Sequence, residues 1–271
     1  MKRIYRSVRR TVGAGLRRLG LRRPEEPAHK PEFDARALAR RLGVAESALA
    51  GDAHEGSLAY AGARRARELF GPRFFVDLDR IAELSAAFAA EHPDIVSRLD
   101  ALADHDVDGG LAVYTVTTTR LGAQYNWSSP PVGLAEDLLY PVRPHRFAFA
   151  PRHAWACLRR PALTSHLQGM LASWIAYAES GDCQYCYVSN LVVLQRVFAT
   201  MWAWAFLASR PQDASTEGLG LEWLLLQVLY ADARFLATRL GDSVPNNHLL
   251  ADRFAHWFLA TVLPELLDPT P

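Results

Sequence analysis

Apolar side chains recur every three to four positions through most of this 271-residue chain, the period that places them on one face of a helix. The pattern predicts a short helix, a glycine break and a further turn over about 33–49. A helix over 57–71 should stop at Gly71-Pro72, and one or two helices over 77–105 should be divided by Pro93. The period then shortens. Val113 to Thr119, entered through Gly109-Gly110, reads as a small strand or hairpin, and QYNWSSPPVG follows as a loop. From about Leu134 the helical period returns. It carries a segment around RPHRFAFAPRHAWACLRR, a helix opened by Pro161, one capped by Ser189 or Asn190, one running to Gly241, and a last one beginning near Asn246. Seven or eight helices joined by short Gly/Pro/Ser-marked turns predict consecutive antiparallel hairpins. Several are apolar on more than one face, as expected where helices pack in two layers or rings.

The most apolar run, VFATMWAWAFLA (197–208), follows Gln195 and Arg196 directly. It is shorter than the roughly 20 residues a bilayer requires, so it reads as a buried helix of a soluble protein.

Composition changes this picture at one end. Half of the residues are hydrophobic, which permits a substantial core, and the formal net charge is only +1. Residues 1–23 nevertheless hold nine Lys/Arg and no acid. The remainder therefore has 30 − 9 = 21 basic against 29 acidic residues, a net of −8. The basic segment lacks the apolar h-region and cleavage site of a secretory signal, so a cytoplasmic, at most membrane-peripheral, protein is expected. Ile4, Val8, Val12, Leu16 and Leu19 recur at helical spacing among the arginines. An amphipathic helix on an anionic membrane surface and a contact with nucleic acid or another acidic partner are alternatives to a plain solvated tail. PEEPAHKP (24–31) reads as a linker. The expected organisation is a tail and linker over 1–31, a helical segment with a small β hairpin over 32–132, and further helices over 133–271.

Little else suggests chemistry. Cys183 and Cys186 have C-x-x-C spacing, but no second ligand pair accompanies them, so reduced thiols, no metal and no cofactor are expected. DHDVDGG begins like a calcium loop, yet its twelfth position is Thr115; a turn is the simpler reading. In RPHRF, Arg143, His145 and Arg146 share one turn and could meet a carboxylate or sulfate, though as a lone feature a solvated basic turn is the better reading.

SVPNNHLLADRFAHWF (243–258) is more specific. Asn246, Asn247 and His248 precede an apolar face of Leu249, Leu250, Phe254, Trp257, Phe258 and Val262. A helix N-terminus has unpaired N–H groups and a positive dipole, which suit a carboxylate and favour neutral histidine, a usable base. Simple capping by the asparagines is the plain alternative.

VPNNHLLADRFAHWFLATVLPEL resembles the Asn-Asn-His-Leu segment of the heparinase II/III and alginate lyase family of polysaccharide lyases. LGAQYNWSSPP resembles that family's loop ending in an Asn-Trp pair. HRFAFAPRHAWAC resembles its Arg-Phe helix, and SNLVVLQRVFATMWAWAFLA its helix bearing an Arg before a Trp-rich face. The likeness covers about residues 60–265. It implies a mainly α chain forming an incomplete (α/α) toroid, with the small β element near residues 111–119, that binds acidic poly- or oligosaccharide for β-elimination. By motif match Asn247 and His248 would be catalytic, the first on the uronate carboxylate and the second there or as base. Asn246, Arg196, Gln195, Trp127, His145 and Arg146 would bind substrate. Family members carry a catalytic tyrosine after this motif; Tyr125, Tyr140, Tyr177, Tyr185, Tyr187 and Tyr230 are possible substitutes. The chain stops 23 residues after His248, so the alternatives are an N-terminal piece of such an enzyme, a second chain that supplies the rest of the ring and the β-sandwich, or a non-catalytic relative. The resemblance further implies Asn247, His248, Arg196 and Trp127 lining one concave cleft, and an apolar helix face exposed at the open end. A non-catalytic helical scaffold implies instead that these side chains are buried or point apart.

Overall fold

The computed structural model describes residues 31–45, 55–114, 117–120, 125–128, 142–181, 183, 185–210, 216–238 and 247–267. Among these are nine α-helices: α1 (Ala35–Arg41), α2 (Glu55–Phe70), α3 (Leu78–Glu91), α4 (Pro93–Val107), α5 (Phe149–Cys157), α6 (Leu163–Glu179), α7 (Asn190–Ala208), α8 (Thr216–Thr238) and α9 (Asn247–Val262). Strands β1 (Gly110–Tyr114) and β2 (Thr117–Arg120) pair antiparallel where the β-rich run stands, with a register irregularity between Ala112 and Tyr114. The fold is mainly helical, with this one hairpin among the described residues. Pro93 divides α3 from α4 and occupies the first helical position, where its missing N–H costs nothing. Asp104 and Asp106 of the DHDVDGG stretch lie in the last turn of α4. The helical pattern after residue 134 is interrupted: Pro144–Arg146 is a short 3-10 turn, Phe147 adopts a left-handed conformation, and α5 begins only at Phe149. Ser189 caps α7 through its hydroxyl, which accepts from the Leu191 amide.

The helices pack in two layers. Helices α5, α7 and α9 lie side by side, and α6, α8 and α2 back them, with α8 between α6 and α2 and against α7. Directions follow from side-chain pairs. Asn190 at the start of α7 donates to Asp252 near the start of α9, and Phe198 packs on Phe254 and Phe258. Helices α7 and α9 therefore run parallel. Arg196 in the first half of α7 reaches the His145 carbonyl just before α5, whereas Trp155 near the end of α5 shares a groove with Trp202 and Phe206 near the end of α7. Helix α5 runs the same way. Thr164 at the start of α6 is reached by Arg210, and Trp174 near its end by His145, so α6 runs opposite. Helix α8 does likewise: Glu222 near its start and Asp232 near its end meet Arg67 and Arg196.

One hydrophobic core runs from Leu38 to Leu266 through both the 32–132 and 133–271 segments. Helix α7 lies at its centre. It is long and apolar enough to cross a membrane by length and composition, but 72% of its apolar window is buried inside the molecule. This agrees with the core helix expected from its sequence.

Candidate functional site

Because α5, α7 and α9 run parallel, their N-termini gather at one end of their layer. The register set by Asn190–Asp252 and Phe198–Phe258 carries the first turn of α9 beyond the start of α7. Asn247 and His248 open α9 at this end; Asn246 and the side chains of Asn247 and His248 lie outside the described residues. The turn holding His145 and Arg146 is at the same end, packed on α7.

Below that end sits a sealed ionic cluster. Arg196 is fully buried. Its Nε and Nη2 grip the Asp232 carboxylate at 2.9 and 2.6 Å, and its Nη1 donates to the carbonyls of His145 (2.8 Å) and Cys186 (2.9 Å). Trp174 and Tyr187 each lie 4.7 Å from the guanidinium. Burial opposes the Arg196 charge most strongly, but the Asp232 carboxylate and the Tyr187 hydroxyl together raise the pKa. His145 is fully buried, and its Nδ1 accepts from Trp174 Nε1 at 3.0 Å. Burial, and secondarily the Arg196 charge, pushes the His145 pKa down to about 3, so the ring is a neutral core group with its proton on Nε2. Arg196 and His145, expected to bind substrate from an open cleft, are thus committed to the core. A charge cannot stay in an apolar interior unpaired, and its partner here comes from α8. Trp127 is buried too, donating to Ser173 Oγ at 3.1 Å and lying 6.3 Å from the His145 ring. Gln195 and Arg146 are half-buried; the Gln195 amide oxygen has no hydrogen-bond partner among the described residues. The structure therefore brings Trp127, His145 and Arg196 together, but inside the protein.

The expectation of reduced thiols at Cys183 and Cys186 is also corrected. Their Cα atoms lie 5.7 Å apart and the pair forms a disulfide; Cys157 is free and buried. The turn after α6 supplies the close approach that a disulfide needs. Among the described residues no group of three or more His, Cys, Asp or Glu side chains could hold a metal ion.

A second cluster, of which the sequence reading touched only Tyr125 and, as part of the DHDVDGG turn, Asp106, joins four elements. The buried Asp106 carboxylate at the end of α4 accepts a two-pronged grip from Arg152 on α5, at 3.0 and 2.7 Å. Tyr125, beside Trp127 in the loop, has its hydroxyl 3.3 Å from the Asp106 carbonyl and 2.5 Å from Nε2 of His166 on α6. The backbone of Tyr125 has φ 47°, a left-handed conformation that costs a bulky residue energy and is held where surrounding structure insists on it. His153 is fully buried, stacks on His166 at 5.5 Å, and has no hydrogen-bond partner for either ring nitrogen among the described residues. Burial, then the neighbouring Asp106 charge, raises the Tyr125 pKa to about 12; burial, then His153, lowers that of His166. Both are neutral near pH 7; the one hydroxyl proton of Tyr125 can go to the Asp106 carbonyl or to the His166 ring, and the imidazole tautomer sets which. This is a short proton-sharing contact in which His166, only half-buried, faces solvent. Pairing of Tyr and His in this way suits transfer of a proton to or from a bound group. The missed signal was weak: an Arg-His dipeptide (152–153) and a histidine 13 residues later carry no motif.

A cleft of about 860 Å³ lies at the other end of α7, between Arg64, Arg67, Asp77, Ser209 and Arg210. It contains none of the residues singled out from the sequence. Its arginines are balanced by Glu68, Asp77 and Asp79 on the same walls, so it offers an anion little net attraction. No family model matches the chain, and no curated protein or solved structure matches it either.

Proposed function

We propose that this chain is the N-terminal helical domain of a polysaccharide lyase of the heparinase II/III type, an incomplete (α/α) toroid that binds uronic-acid-containing poly- or oligosaccharide for β-elimination. The observation that carries the reading is the parallel run of α7 and α9, which brings Asn247 and His248 at the start of α9 to the same end as the 143–147 turn. Two layers of alternating direction, as hairpins of a toroid require, support it as well. In this reading Asn247 and His248 hold the uronate carboxylate in the first turn of α9, where unpaired N–H groups and the helix dipole favour an anion. Neutralising that carboxylate acidifies the adjacent C5 proton. A base removes the proton, the C4–O4 bond breaks, a C4=C5 double bond forms, and the departing oxygen takes a proton. In this reading His248 also serves as the base, since Tyr125 and its partner His166 lie toward the start of α6, at the opposite end from this turn. Arg196 and His145 act here from inside, fixing the turn and the loop that carry the site.

Calorimetric titration with a uronate tetrasaccharide tests the binding. Asn247→Ala and His248→Ala should weaken it at least tenfold without changing the fold. Unaltered binding in both variants sinks the assignment.

The burial of Arg196, His145 and Trp127 favours a second reading, a non-catalytic helical scaffold that reaches an anionic membrane surface or another acidic partner through residues 1–23. It is distinguished by anionic vesicles: binding lost on deleting residues 1–23, with no saccharide binding, would replace the first reading.

A further inference from the structure

The apolar face expected on the last helix is split. Phe258, Leu259 and Val262 are buried, while Leu250, Phe254 and Trp257 are 73%, 47% and 59% exposed. These three recur at i, i+4 and i+7, so they form one stripe along α9. Phe254 and Trp257 stack at 5.6 Å, and Phe75, itself 54% exposed, extends the patch from beside Phe258. Within the layer, α7 meets α9 through aromatic rings on its flank, Phe198 against Phe254 and Phe258. The outer flank of α9 presents the same kind of surface with no described element against it.

We propose that this stripe is the interface of a two-fold dimer, in which α9 of one copy packs antiparallel on α9 of a second. The stripe is nearly symmetric about its middle. Antiparallel pairing sets Leu250 of one copy against Trp257 of the other and the two Phe254 rings near the axis, so a single patch complements itself, as an isologous contact demands. The area is in the right range. With aromatic side chains presenting about 150–250 Å² each, the four exposed residues offer roughly 500 Å² of apolar surface. A standard interface buries about 800 Å² per partner, with a polar rim around such a centre. The charged side chain exposed on α9 is Arg253, which lies at the edge of the stripe and can stay in water.

The proposal is independent of saccharide binding and turnover. Its test is sedimentation equilibrium of the full chain over roughly 1–100 µM, where interfaces of modest size dissociate. The wild type should approach twice its 30.1 kDa mass, and Trp257→Glu and Phe254→Glu should stay monomeric with unchanged helical circular dichroism. Phe254→Cys should form a disulfide-linked dimer on mild oxidation, which decides the matter even if the glutamate variants fold poorly. A monomer throughout with no cross-link overturns the proposal. So does a dimer that persists in folded Trp257→Glu, or a monomer that sediments with anionic vesicles only when Trp257 is present, which would make the stripe a membrane contact.

Discussion

Two ionic clusters flank α5, and they differ in what surrounds them. Arg196–Asp232 is closed on every side: both side chains are fully buried, and the guanidinium is also bonded to two carbonyls and faced by two rings. Asp106–Arg152 has the same two-pronged geometry, but Arg152 keeps 12% of its surface, and beside it stand a half-buried His166 and a tyrosine in a costly backbone conformation. The Arg196–Asp232 pair itself is saturated; beside it His145 Nε2 has no partner among the described residues but is fully buried. The second still holds polar capacity: unbonded His153 nitrogens and a Tyr–His contact that can move a proton. Similar ion pairs can thus be fully enclosed in one place and half open in another, and the neighbours decide which.

The largest expected effect separates the two clusters by stability. Arg196→Ala leaves Asp232 buried and unpaired, which costs about 3–5 kcal/mol, visible as a large drop in the denaturant midpoint. Replacing both partners by apolar residues of similar size should recover much of that loss, because the pair as a whole gains little over a packed core. If the single variant is neutral, the cluster is not sealed as described.

Next comes pH. His145 is neutral in the folded protein with a pKa near 3, against 6.5 in the unfolded chain. The unfolded state therefore binds the extra proton between these values. The stabilisation is complete above pH 6.5 and declines as pH falls towards 3, by about 1.4 kcal/mol per pH unit. Urea titrations at stepped pH should show this slope, and it should flatten in His145→Gln. The depressed His166 adds in the same direction but less, being half exposed.

A smaller stability effect sharpens the contrast most. Tyr125→Phe removes one hydroxyl contact of the second cluster and should cost only about 1 kcal/mol, far less than unpairing Asp232. Asn190→Ala, which breaks the bond to Asp252, should also cost about 1 kcal/mol and loosen the start of α9. Hydrogen exchange localised to α9 would register it.

The helices were legible because burial repeats locally: the Trp-rich run became α7, Gly109-Gly110 opened the hairpin, and Pro93 marked a boundary. What escaped were relations across the chain. Arg196 reads as a cleft residue until Asp232, 36 positions on, is brought against it. Tyr125 and His166 are 41 residues apart, and nothing in either segment announces the other. The apolar face of α9 was legible as apolar, but only packing decides that Phe258 goes inward while Trp257 faces out.

The central claim is β-elimination by this domain, and the direct measurement follows the ultraviolet absorbance of the unsaturated uronate product. Purified chain would be supplied with heparan sulfate, hyaluronan, alginate and unsaturated disaccharides. A rise with at least one substrate, abolished in His248→Ala while its fold persists, is the expected result. A flat trace with every substrate, or a rise that His248→Ala retains, contradicts it.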